Sequence, residues 1–158
     1  MDDLRVPINS LPVEILCADG RAMLGDIFLP AHSSLQAGPM RPEEWTEGAH
    51  PFFPFRLFEA RTLAILNRRE VVAVTVPAAS NSSTGDACPD VPVVRLAVEA
   101  GGTRFEGDVL VDMPPGHQRV ADWLNAPAAF ITVRAGSAHH LIQKRHVTRV
   151  VELCRLSS

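Results

Sequence analysis

The sequence predicts a mainly β protein made of two small β-barrels in tandem, each with a short helical insertion between its second and third strands. Three observations carry this. First, the halves repeat one another. RPEEW at 41–45 answers RVADW at 119–123, so Arg41 corresponds to Arg119, Glu44 to Asp122 and Trp45 to Trp123, each 78 positions on, as do Phe52 and Phe130, Arg56 and Arg134. Second, apolar residues alternate with polar ones inside each half and are interrupted by turn residues, the pattern of strands. Third, a glycine recurs on the inward face of each second strand, Gly25 and Gly107. A strand loses stability by carrying glycine, so its recurrence implies a sharp bend or a close backbone approach. A strongly bent second strand is how a five-stranded sheet curls into a barrel.

Taken in order, residues 1–11 read as a leader in which Pro7, with Pro12 just beyond, forbids a regular helix. Val13, Ile15 and Cys17 then mark a first strand and Asp19-Gly20 a hairpin turn. Met23, Gly25, Ile27 and Leu29 share one face of the second strand. FFPFRLF (52–58), TLAILN (62–67) and EVVAVTV (70–76) follow as strands three to five, the last two separated by a tight basic turn. The second half repeats the scheme. Val94, Leu96 and Val98 precede a turn at Gly101-Gly102, and Phe105, Gly107, Val109 and Val111 share a face. FITVR (130–134), HHLIQ (139–143) and HVTRVVEL (146–153) complete it. HQRVADWLN has helical character, entered from the turn Pro114-Pro115-Gly116, and places Arg119 and Asp122 at i, i+3. The units are 12–76 and 93–154, joined by a linker at 77–92 rich in Pro, Ser, Asn, Asp and Gly. Units of roughly 60 residues are marginal alone, so the two are expected to pack on each other, and remaining open edges to favour a homo-oligomer.

Composition excludes several functions. Of 158 residues 21% are charged and 46% apolar, an ordinary globular balance. The formal net charge of −3 argues against a constitutive nucleic-acid binder, and no DNA partner is expected. Of the 15 cations only Lys144 is lysine. Cys17, Cys88 and Cys154 are odd in number and scattered, which suits a reduced compartment better than a disulfide framework. MDDLRVPINS has acids where a signal peptide has basic residues, and no apolar run of about 20 residues offers a membrane span. A cytoplasmic protein without membrane contact is expected.

The run V-x-I-x-x-x-x-G-x-x-x-x-G (13–25), closed by L-x-x-x-x-V-x-x-V (66–74), resembles the two-part signature of Sm-like barrels, a spacing shared with other SH3-like small barrels. The second half carries a related pattern at 94–107 and 142–150. GDVLVDMPPGHQRVADWLNAPAAFITV (107–133) is similar to the core of a group of uncharacterised bacterial proteins, G-D-x-x-x-x-x-P-x-G-x-R-x-x-D-x-L-N followed by an apolar strand. The first half keeps Gly25, Asp26, Arg41 and Phe52 but has Thr46 and Glu47 where Leu-Asn stands. The resemblance implies a tandem Sm-like fold and no particular activity.

Among candidate sites, the box Arg41, Glu44, Trp45 and its copy Arg119, Asp122, Trp123 has two readings. One is a recognition surface, since Trp and Arg dominate interface hot spots. The other, favoured, is a lid in which each Trp plugs one barrel end and the acid orients the Arg. The basic turns supply Arg68, Arg69, Lys144 and Arg145, which stand where RNA-binding Sm-like barrels contact nucleic acid. Asp122 and Asn125 imitate the acid and asparagine of those proteins, but the first half has Glu44 and Glu47. Arg41, Arg56, Arg119 and Arg134 would serve a small-ligand or nucleotide sensor at the seam between halves. His139, His140 and His146 do not make a metal set, because neighbours in a strand point to opposite faces. No G-x-S-x-G, phosphate loop or H-E-x-x-H occurs. The expectation is a non-enzymatic binding or scaffolding module without cofactor or metal, engaging a protein partner. RNA binding and ligand sensing are the rivals.

Overall fold

The computed structural model describes residues 8–33, 38, 40–77 and 91–155. Residues 1–7 of the expected leader, most of the linker and Cys88 lie outside them, as do residues 34–37 and 39 of the approach to the first box.

Ten strands form from the alternating segments: β1 (Ile8–Cys17), β2 (Ala22–Pro30), β3 (Phe52–Leu57), β4 (Leu63–Asn67), β5 (Val71–Pro77), β6 (Val93–Ala100), β7 (Thr103–Leu110), β8 (Phe130–Ala135), β9 (Ala138–Gln143) and β10 (Val147–Arg155). Two single-turn helices, α1 (Pro42–Thr46) and α2 (Val120–Leu124), stand between second and third strands, where the inserted helices were expected. Both expected basic turns, 68–70 and 144–146, are single 3-10 turns between fourth and fifth strands.

The strands belong to one antiparallel sheet in the order β10-β6-β7-β8-β9-β5-β1-β2-β3-β4. Within each half the spatial order is fifth, first, second, third, fourth. The expectation of two closed barrels therefore meets a different arrangement. Neither half pairs its fourth strand with its own fifth. Instead β9 of the second half pairs with β5 of the first, Ala73 opposite Ile142 and Val74 opposite Leu141. Among the described residues β4 pairs only with β3, and β10 only with β6, so the sheet is open at both ends. The physical reason is that β5 satisfies its backbone on β1 and β9, leaving no side for β4.

The first strand also begins earlier than expected, at Ile8, so residues 8–11 of the expected leader are strand. Pro12 is tolerated inside β1 because β1 meets β5 only over Glu14–Cys17, leaving one side without a ladder at Pro12. Pro54 in β3 is accommodated likewise, since β2 meets β3 only at Gly25 and Asp26. The inward glycines mark close backbone approach. A Cβ at Gly25 would run into the Arg56 carbonyl oxygen and the Phe55 ring, and one at Gly107 into the Arg134 carbonyl oxygen and the Val133 side chain.

Two cores result, and they interlock. The first gathers Val13, Ile15, Ile27, Leu29, Trp45, Phe53, Phe55, Val71, Val74 and Val76, and takes in Phe130 and Leu141 from the second half. The second gathers Val94, Leu96, Val98, Ala100, Phe105, Val109, Val111, Ile131, Val133 and Ile142, and takes in Val72 and Ala73 from the first. The seam is thus a packed interior on both faces.

Candidate functional site

The seam and the boxes share residues. Pro42 opens α1 with the fixed backbone angle that suits a first helical position, and the Arg41 carbonyl accepts from Glu44 N and Trp45 N. This turns the Trp45 ring into the first core, where it is 9% exposed. Its ring meets Phe53 edge-on at 4.9 Å, and the Arg68 guanidinium lies over it at 4.7 Å. Arg68 also donates from Nη1 to the Trp45 carbonyl and from Nε to the His50 carbonyl, both at 2.9 Å. In the second half Lys144 does the corresponding work, donating from Nζ to the Ala126 carbonyl at 2.8 Å. Burial lowers the pKa of both cations, and the charge of Glu47 opposes that shift in each case.

Glu47, just past α1, bridges the halves. Its carboxylate accepts from Ala129 N at 2.8 Å and from Phe130 N at 2.9 Å, the entry to β8. Around it the seam carries further polar joints. His146 Nε2 donates to the Arg69 carbonyl at 2.7 Å, and Thr75 Oγ1 lies 2.8 Å from His140 Nδ1. With its amide nitrogen turned toward them, Gln143 donates to the Val71 carbonyl at 2.7 Å and the Arg68 carbonyl at 3.1 Å. Burial lowers the pKa of His139 and His140 and raises that of the Cys17 thiol.

The predicted residues divide accordingly. Trp45 is buried in the first core. Trp123 packs against the second core only in part, and none of the residues of α2 is buried. Arg119 Nε pairs with Asp122 Oδ2 at 3.2 Å, the expected i, i+3 pair. Glu44 is differently engaged: its Oε2 accepts from Ser33 Oγ at 2.6 Å, and Arg41 is exposed. Of the four basic-turn cations, Arg68 and Lys144 face inward onto carbonyls, while Arg69 and Arg145 are exposed. Arg56 and Arg134 are not neighbours in the sheet, since β9, β5, β1 and β2 separate β3 from β8. Arg56 lies over the Phe28 ring at 5.1 Å. No group of three metal-ligating side chains occurs among the described residues, and no helix among them is long and apolar enough to cross a membrane.

Two features escaped the sequence reading. Glu47 was visible only as the acid replacing the asparagine of the second half, because its partners lie 82 and 83 positions away. The other is the outer face of β3–β4. Phe52, Leu63 and Ile65 are 56%, 61% and 62% exposed there, at the free edge of the sheet. The signal was the doubled apolar pattern FFPF and LAIL, which puts apolar residues on both faces.

Comparison with protein-family models, with curated proteins and with solved structures finds no match to this chain.

Proposed function

We propose that the protein is a non-enzymatic, cytoplasmic protein-binding or scaffolding module, built as a tandem of Sm-like β units whose open sheet edges receive an extended partner strand. The observation that carries this reading is the apolar outer face on β4 and its neighbour, Phe52, Leu63 and Ile65, beside backbone groups that no described strand pairs. An edge strand that is apolar and uncovered is a template for strand addition. The inward-facing cations of Arg68 and Lys144, bonded to backbone carbonyls, and the net charge of −3 weigh against the RNA rival.

Selection from a library of displayed random peptides tests the reading. Extended peptides with alternating apolar residues should be enriched, and Ile65→Lys should abolish their binding. A selection that enriches nothing, or peptides indifferent to that change, would overturn it. A pool of short single-stranded RNA should show no binding at about 150 mM salt. Measurable affinity that falls steeply with salt and is lost on changing Arg69 and Arg145 to Ala would instead establish the RNA reading.

A further inference from the structure

We propose that the partner is a second copy of this chain, assembling head to tail, with β4 of one molecule adding to β10 of the next in the register that β9 keeps with β5. This rests on the protein-binding reading above and names its partner.

The two halves place their strands in the same spatial order, so β9 is to the second half what β4 is to the first, and β10 corresponds to β5. The seam joins a fourth strand to a fifth. The edges left open at the two ends of the sheet are the other fourth and the other fifth. Among the described residues the protein therefore carries, unpaired, the same two kinds of edge that it already joins once internally. LIQKRHVTRV (141–150) corresponds to ILNRREVVAV (65–74), which transfers the register residue by residue. Val74 opposite Leu141 becomes Val150 opposite Ile65 of the next chain, and Ala73 opposite Ile142 becomes Arg149 opposite Leu66.

Burial points the same way. Phe130 and Leu141 sit in the first core, whereas their counterparts Phe52 and Ile65 are exposed. On the receiving side, α1 lies against β8 and buries Pro42, Trp45 and Thr46, while α2 buries none of its residues. Thus α1 receives a third strand from the other half, β8, whereas α2 receives none and β3 meets no such helix. Docking as proposed would cover Phe52, Ile65 and Trp123 together.

The polar bonds are not fully repeated. Asn125 stands where Glu47 is, and Pro51, which has no N–H, stands where Ala129 donates. Glu70 replaces His146, and a carboxylate offers the Arg145 carbonyl no donor like the one His146 gives that of Arg69. The joint between chains is thus a weaker version of the seam, and assembly is reversible and concentration-dependent. Because the two edges differ, the contact is heterologous and extends to a ring or a filament.

Sedimentation of purified full-length chains provides the test. The unaltered protein should pass from the 17.2 kDa monomer to dimers and larger species as concentration rises. Ile65→Lys, which spoils only β4, and Val150→Lys, which spoils only β10, should each be monomeric. Mixed in equal amounts they should form a dimer and nothing larger, because each retains one sound edge. A dimer that survives Val150→Lys, or a mixture that stays monomeric, overturns the head-to-tail joint. A monomer at all concentrations overturns the second copy as partner; if displayed peptides still bind at Ile65, the protein-binding reading stands, and if they do not, both fall. Should Val150→Lys fail to fold by circular dichroism, a chain with Ile65→Cys and Val150→Cys, and with Cys17, Cys88 and Cys154 changed to Ser, replaces it. It should give a ladder of disulfide-linked chains under oxidation; crosslinks confined to single chains, or none, overturn the proposal.

Discussion

A missing methyl group decides how closely the second and third strands of each half approach. At Gly25 the Phe55 ring would stand 2.6 Å from a Cβ, and at Gly107 the Val133 side chain 2.8 Å, with a backbone carbonyl nearer still in both. Carbonyls on a paired strand cannot swing aside as a flexible side chain could. Gly25→Ala and Gly107→Ala are therefore each expected to destabilise by about 1–3 kcal/mol. Thermal unfolding should register this as a loss of roughly 2–4 °C per kcal/mol for a chain of this size. An unchanged melting temperature would mean that the strands separate at no cost. His140 gives the residue scale its pH dependence. Burial is the main cause of its lowered pKa, with Glu14 raising it and His139 lowering it again, and the Phe105 ring lies 5.0 Å away. The unfolded chain therefore binds a proton more readily than the folded one. Its contribution is fully present above the ordinary value of 6.5 and is lost as pH falls from there through the lowered folded-state value. Melting temperature should decline between pH 6.5 and about 5, above the carboxylate range, and His140→Gln should flatten the decline. An equal slope in both proteins would assign the dependence to other groups.

At the scale of elements, the same five-residue helix does unequal work in the two halves. Trp45 is held between Phe53 and Arg68 beneath β8, whereas Trp123 covers its core only in part. Trp45→Ala should cost about 3–5 kcal/mol, the range for emptying a buried aromatic site, and Trp123→Ala clearly less. Denaturant midpoints compare the two, and equal losses would show that the two tryptophans are equivalent. Which parts of this were legible in the sequence follows from range. Strands, hairpin turns and helices depend on neighbours a few positions apart, so alternation at Val13 and Ile15, the Asp19-Gly20 turn and the pairing of Arg119 with Asp122 could be read directly. The inward glycines even announced the close approach of a strand not yet placed. The joining of β5 to β9 could not be read, because Val74 looks equally suited to β4 of its own half. What selects β9 is a set of bonds between distant positions: Glu47 to the backbone of Ala129 and Phe130, His146 to Arg69, Thr75 beside His140. The candidate site suffered most from this. Arg68 and Lys144 read as candidate nucleic-acid contacts because the carbonyls they serve, at His50, Trp45 and Ala126, are set by the fold.

For the molecule as a whole, each core is completed by the other half. Without residues 91–155 the first core loses Phe130 and Leu141 and β5 loses one of its two partner strands; without 8–77 the second loses Val72 and Ala73. Residues 8–77 and 91–155 expressed apart should show little cooperative unfolding, and should regain it when produced together. Cooperative melting of either piece alone would show that it folds independently. The seam also has a bearing on how the chain reaches its native state. Hairpins β1–β2, β3–β4, β6–β7 and β8–β9 join strands adjacent in sequence and close short loops. The seam pairs Ala73 with Ile142 and Pro77 with Ala138, across 60 or more intervening positions, and its loop-closure entropy must be met before any of its contacts is made. The locally paired hairpins can therefore assemble early, while the contact that unites them arrives late. Until then, β5 and β9 are two bare edges in search of a mate, and the kinetic hazard of this architecture is that a newly made chain finds that mate on its neighbour.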